Sequence, residues 1–258
     1  MGVYATEIAS SKIISDNPIH QRLLKAYYLA VDYIKGDLLE LGCGEGRGVA
    51  LLAPIAASFT AIDKISEVVE ELTRKFPDYK FKRGSFPPLD GTESNSFDTI
   101  VSFQVIEHIK DDRKFLKEIW RVLKPGGKAI ITTPNKKKSL TRNPWHIREY
   151  TASELKTLAE PIFDEVELSG ITGNDKVWEY YELNKKSVEK ITRFDIFDLQ
   201  NRLPALLLKI PYEILNRLNR NILKSENDAL VTDILQDDYL LSEDADQSLD
   251  LFCIMTKK

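Results

Sequence analysis

The sequence has little cysteine, little histidine and no excess of positive charge. Among its 258 residues are two cysteines and three histidines, and the formal net charge is −4. Two thiols, Cys43 and Cys253, cannot make the bridges that staple small secreted domains, so a reducing compartment is expected. The acidic balance gives no general electrostatic footprint for nucleic acid, which is not expected as a partner, although a local basic patch would escape this count. The longest apolar run, Val49 to Ile62, is too short to span a bilayer and contains Pro54. No secretory signal opens the sequence, and a cytoplasmic location is expected. Met1-Gly2-Val3-Tyr4-Ala5-Thr6 matches the N-myristoylation pattern in form, but that pattern is short and common by chance. The length suits one α/β domain with an elaboration and is ample for a large core.

Glycine is sparse but concentrated. A short apolar run, Leu38, Leu39 and Leu41, reads as a strand buried on both faces, and it breaks into glycines at 42, 44, 46 and 48. Such a turn lets backbone N–H groups approach a ligand, with the positive end of the next helix pointing the same way. The dinucleotide pattern G-x-G-x-x-G fails here, because its sixth position from Gly42 is Arg47. Glu40, at the carboxyl end of the strand, would repel a pyrophosphate and attract an ammonium group. About 20 residues on, where such units place a ribose-binding acid, Asp63 closes the run Phe59 to Ile62. Its carboxylate can accept from both ribose hydroxyls.

Glu40, the glycine turn and Asp63 together resemble motif I and the second-strand acid of the class I S-adenosylmethionine-dependent methyltransferases. The likeness continues through Phe97-Asp98-Thr99-Ile100-Val101, Glu107-His108, the run Arg121 to Gly127 and Thr133-Pro134-Asn135, covering roughly residues 38–135. It implies S-adenosyl-L-methionine as cofactor, with Glu40, Gly42, Cys43, Gly44 and Gly46 around its amino-acid end and Asp63 and Lys64 beside its ribose. Ser85 and Phe86 would hold the adenine, with Ser85 standing where the family often has an acid. Gln104 and Val105 would complete the wall after the fourth strand.

Periodicity alone supports the same frame. Strand and helix patterns alternate from residue 19 to residue 133, which implies right-handed crossovers and a parallel sheet. In such sheets ligands sit beyond the carboxyl ends of the strands, where Glu40, Asp63, Ser85 and Gln104 all fall. The family resemblance implies an α/β, Rossmann-like seven-stranded sheet flanked by helices, its last strand antiparallel, with a helical insertion between strands six and seven. The expected layout is an N-terminal helical cover over 1–36, a cofactor-binding core over 37–170, an insertion or cap over 171–248 and the last strand within 249–258. His20 and Arg22, in the first helix, could reach the cofactor carboxylate, although simple solvation is the preferred reading for both. Within the insertion, Leu203, Leu206, Leu207, Ile210, Ile214, Leu215, Leu218 and Ile222 form an apolar stripe, with basic residues elsewhere on the helix. Residues 203–224 could thus cap the site, form a homodimer face or touch a membrane surface. The acidic stretch from Asp233 to Asp250 reads as an exposed loop.

Methyl transfer from a sulfonium requires alignment and exclusion of water, and it requires a base when the acceptor is a hydroxyl. His108, after the fourth strand, is the candidate near the reaction centre, and His146, after the fifth, is the candidate for contact with the acceptor. For each, a histidine that merely orders its loop is an equally good reading. Some related enzymes acting on RNA 2′-hydroxyls or quinones carry E-x-x-E-H and a divalent metal. Here Gln104 replaces the first acid, and no metal is expected. The segment Asn143 to Tyr150 resembles those of methyltransferases acting on sugars, lipids and quinone-like molecules. A small-molecule oxygen is therefore the expected acceptor, with a metal-assisted RNA 2′-O-methyltransferase and a non-catalytic cofactor-binding module as alternatives.

Overall fold

The structure is a computed structural model and describes residues 12–193, 195 and 198–258. The myristoylation pattern at residues 1–6 lies outside the described residues. Eight strands are found among the described residues: β1 (Asp37–Leu41), β2 (Ser58–Asp63), β3 (Lys80–Arg83), β4 (Phe97–Phe103), β5 (Leu123–Pro134), β6 (Glu165–Gly173), β7 (Tyr239–Ser242) and β8 (Asp250–Thr256). They form one sheet in the order β3-β2-β1-β4-β5-β8-β6-β7. Neighbours from β3 to β5 run parallel, β8 enters antiparallel between β5 and β6, and β7 pairs antiparallel with β6. The helices are α1 (Asn17–Ala30), α2 (Val49–Leu52), α3 (Ser66–Lys75), α4 (Asp112–Val122), α5 (Ala152–Ala159), α6 (Asp175–Thr192), α7 (Leu199–Arg202), α8 (Ala205–Glu226) and α9 (Asp228–Asp233).

Alternation along the strands divides the core in two. Leu38, Val101 and Ile130 face a cluster with α1, α2 and α3, whereas Leu39, Ile100 and Ile131 face α4 and α5. Both faces of the central strands are therefore covered, as near-continuous apolar runs require. Local chemistry sets the helix starts: Asp111 caps α4, and Thr151 with Glu154 forms the capping box of α5 that the sequence announces.

The acidic stretch departs from its reading as a loop. It contains β7, the eighth strand, so the sheet is one strand wider than the seven expected and the insertion is not purely helical. Four residues among aspartates carry too little alternation to announce a strand; the free edge of β6 supplies the pairing. Tyr239 anchors it, donating its hydroxyl to the Pro18 carbonyl at 2.6 Å. The turn that follows is held by Asn135, whose amide donates to the carbonyls of Ala245, Asp246 and Ser248. Two smaller differences come from proline and glycine. The apolar run after the glycine turn forms α2 only as far as Leu52 and passes at Pro54 through a 3-10 turn over Ala53–Ile55. The Pro125-Gly126-Gly127 turn lies inside an extended β5 that begins at Leu123, where the Gly126 N–H bonds the Lys257 carbonyl.

The insertion is pinned to the N-terminal segment. Asp16, fully buried, accepts from Arg217 at 2.8 Å and Arg220 at 2.9 Å, while Ser15 donates to Asn221. This ion cluster fixes α8 across the carboxyl end of the sheet. No helix among the described residues is long and apolar enough to cross a membrane.

Candidate active site

Beyond the carboxyl ends of β1, β2 and β4 lies a cavity of about 270 Å³. Gly42, Cys43, Gly44, Asp63, Lys64, Ser85, Phe86, Gln104 and Val105, all anticipated from the sequence, line it. Glu40 and Gly46 do not reach its wall. Gly42 has φ +79, and a Cβ there would lie 2.5 Å from the Val105 side chain. Only glycine lets the chain leave β1 so close to the loop after β4. Gly48 has a different reason: a Cβ would fall 1.9 Å from the Tyr27 ring, so α1 packs directly on this turn.

Asp63 is 6% exposed at the end of β2. Its Oδ2 accepts the Gly44 N–H at 2.9 Å and its Oδ1 the Ile65 N–H at 3.0 Å, so the acid shapes the glycine turn while presenting its carboxylate to the cavity. A carboxylate has about four lone-pair sites, which leaves capacity for a diol.

Glu40 is buried, and its Oε1 accepts the Tyr27 hydroxyl at 2.8 Å. Its Oε2 is buried with no partner. Burial pushes the Glu40 carboxyl up from 4.5 to about 7, against the opposing pull of the Tyr27 hydrogen bond. An orphaned carboxylate oxygen behind a glycine turn fits an ammonium group, the amino end of the expected cofactor. Tyr27 and Arg47 also line this cavity, and neither was assigned a role there from sequence. Tyr27 is indistinguishable from core within the apolar stripe of α1; its signal is the glycine at 48 that makes room for its ring. Arg47 is largely buried, and its Nε donates to His20 Nδ1 at 3.1 Å. Burial, aided by Arg47, pulls His20 down to about 4, so it is neutral at physiological pH.

A second cavity, of about 250 Å³, adjoins the first; Leu23, Gln104 and His108 line both. Gln104 sits at this junction with φ +57, a left-handed conformation costly for a residue with a side chain. The second cavity is polar, with Arg22, Glu107, His146, Glu149 and Arg220 on its walls. Arg22 faces Asp250 at 3.2 Å, which is buried and pushed up by that burial.

The two histidines meet here, their ring centroids 5.0 Å apart at 80°. His108 Nδ1 lies 2.9 Å from the Trp145 carbonyl. A carbonyl only accepts, so Nδ1 bears the proton at this contact. His146 Nδ1 is 2.7 Å from Glu149, and its Nε2 is 2.8 Å from the Asn143 amide nitrogen. Asn143 cannot turn over without loss, because its oxygen accepts the Trp145 N–H at 3.0 Å. His146 is therefore occupied at both nitrogens, whereas His108 lines both cavities. Glu107 lies beneath them, fully buried, accepting from Thr133 at 2.9 Å and pushed up to about 7 by burial. Ligand atoms of Glu107, His108 and His146 lie within 4.8 Å of one another; a divalent cation held by all three would displace the Asn143 or the Glu149 partner of His146.

The geometry agrees with what the chain is similar to. Residues 39–131 match the family described as a methyltransferase domain. A protein of Mycolicibacterium smegmatis described as a probable S-adenosylmethionine-dependent methyltransferase is 38% identical over 136 residues, 51% of this chain and 52% of the relative. The ubiquinone biosynthesis O-methyltransferase of Rickettsia conorii is 29% identical over 136 residues, 51% of this chain and 45% of the relative. The chain thus spans about half the length of the curated relatives it matches. In fold it is similar to a Thermotoga maritima S-adenosylmethionine-dependent methyltransferase described as a possible histamine N-methyltransferase, with a TM-score of 0.59 at 15% identity, covering 95% of this chain and 91% of that one. Through residues 39–131 the chain thus matches a methyltransferase domain, and over that core it is similar to S-adenosylmethionine-dependent methyltransferases.

Proposed function

We propose that the protein transfers a methyl group from S-adenosylmethionine to an oxygen of a small molecule. The observation that carries this reading is the junction of the two cavities at Gln104 and His108, one cavity suited to the cofactor and the other polar and lined by histidines. When bound, the cofactor supplies a methyl group already activated on a sulfonium. Glu40 would hold its ammonium, Asp63 its ribose hydroxyls, and Ser85 with the Phe86 backbone its adenine. His108 Nε2 would take the hydroxyl proton as the oxygen is methylated, its ring held by the Trp145 carbonyl. His146, braced by Glu149 and Asn143, would orient the acceptor. The Rickettsia relative, named for O-methylation, supports oxygen as the acceptor atom.

The test has two parts. Calorimetry should show binding of S-adenosylmethionine and of its demethylated product, and incubation with methyl-labelled donor and fractionated extract should give a small labelled ether. Absence of cofactor binding would end the reading.

A second reading, metal-assisted transfer to an RNA 2′-hydroxyl, is favoured by one observation, the gathering of Glu107, His108 and His146. It requires that EDTA abolish activity, that Mn²⁺ or Mg²⁺ restore it, and that RNA termini be labelled. Activity unaffected by chelation would remove it.

A further inference from the structure

A third compartment continues from the polar cavity. It has a volume of about 420 Å³ and lies between α6, α7 and α8. Thr141, Val188, Tyr212 and Asn216 line both it and the polar cavity, so the two form one passage. The walls change character along the way. Near His108 they carry Arg22, Glu107 and Asn143; beyond Val188 they are mostly aliphatic, with Ile191, Leu203, Leu208, Pro211 and Leu215. On its open side Leu207 and Leu215 are 61% and 45% exposed, leaving large apolar side chains in water. The two charged side chains on its wall are each hydrogen-bonded to backbone: the Arg142 guanidinium donates to the carbonyls of Gln200, Asn201 and Leu203, and the Asp195 carboxylate accepts the Leu199 and Gln200 N–H groups.

We propose that the acceptor is an amphiphile, its hydroxyl-bearing head in the polar cavity at His108 and a single aliphatic chain lying in the apolar compartment under α8. The proposal rests on the reading of the polar cavity as the acceptor site. Continuity with that cavity selects the occupant: a chain tethered to a head at His108 enters past Val188 and displaces water from the aliphatic walls. Each methylene buried there strengthens binding about fourfold. The insertion would then be the element that measures the acceptor's tail, and the core would carry the chemistry.

The experiment uses the whole protein and n-alkyl glucosides from butyl to dodecyl, each below its micelle concentration, titrated calorimetrically with the demethylated cofactor present. The expected result is a dissociation constant that falls about fourfold per methylene until the compartment is full. Val188→Phe, which narrows the passage, should flatten that dependence. Leu207→Lys, on the open and exposed wall, should weaken the longer chains without risk to folding. Cofactor binding, measured in the same preparations, reports folding and separately decides the methyltransferase reading. A dissociation constant independent of chain length, or an unchanged dependence in both variants, overturns the proposal. A concentration-dependent dimer that excludes the glucosides would assign the groove to a second copy. Retention on phosphatidylcholine vesicles without chain-length-dependent binding would assign it to a lipid surface, and either outcome overturns the proposal.

Discussion

The core over β1 to β5 and the insertion over α6 to α9 solve opposite problems. In the core, Leu38, Leu39, Ile100, Val101, Ile130 and Ile131 are wholly buried and held on both faces. In α8, Leu206, Ile210 and Ile214 are 77%, 69% and 55% exposed, and the helix is held toward its C-terminal half by the buried Leu223 and by ions, Asp16 between Arg217 and Arg220. The core gets its precision from packing, which makes the cofactor end of the site a fixed mould. The insertion is anchored through Val177, Tyr180, Leu223 and Val231 and the ions at Asp16, and the first half of α8 leaves apolar surface over a groove, which suits an element that must admit a ligand.

That contrast can be broken most severely at the reaction centre. His108→Ala should lower kcat by roughly 10²–10⁴-fold with little change in cofactor affinity, measured by steady-state kinetics beside calorimetry. His146→Ala should fall mainly on acceptor KM, since its two nitrogens are engaged in holding the loop. Equal losses in kcat from the two variants would contradict the division of roles drawn from their hydrogen bonds.

Within the mould itself, Asp63→Ala should cost roughly a hundredfold in cofactor affinity by calorimetry, because it removes the ribose acceptor and the Gly44 anchor together. A loss below threefold would mean the cavity holds something other than a nucleoside.

A pH series sharpens the same region. Glu40 and Glu107 are raised by burial from 4.5 to about 7. Between those values the folded chain binds more protons than the unfolded one, so stability falls as pH rises from about 4.5 to about 7 and is flat above. Cofactor affinity has the opposite sign, because an ammonium favours the ionised Glu40. It should be full above about pH 7 and weaken below it by up to about tenfold per unit. Glu40→Gln should remove that dependence, and a pH-independent affinity in the parent protein would place the ammonium elsewhere.

The smallest effect belongs to the insertion. Leu206→Gln with Ile210→Gln should change unfolding free energy by no more than about 0.5 kcal/mol in urea titration, since both side chains are already in water. A loss of several kcal/mol would show that the stripe is covered in solution.

Legibility followed the same divide. β1, β2 and β4 and the wall from Gly42 to Val105 were readable because buried parallel strands, glycine turns and acids at strand ends each leave a local mark. β7 was not, since Tyr239 to Ser242 become a strand only by meeting β6. Tyr27 has the helical spacing of a packing residue, and its hydroxyl acquires a role only when α1 lies across Glu40. The apolar stripe of α8 was visible as a stripe. Which neighbour it meets depends on Asp16, about 200 residues away in the chain.

By itself, the order of residues determined the alternation of strands and helices, the glycine turn with its flanking acids, and hence a cavity beyond the carboxyl ends of a parallel sheet. These are consequences of periods and φ angles, which act over a few residues. Tertiary structure alone decided which histidine lines both cavities, that Glu40 retains an unpaired oxygen, and that a polar cavity opens into an aliphatic one. Those facts depend on groups brought together from distant segments, where burial and hydrogen-bond geometry are set by the packing of the whole chain.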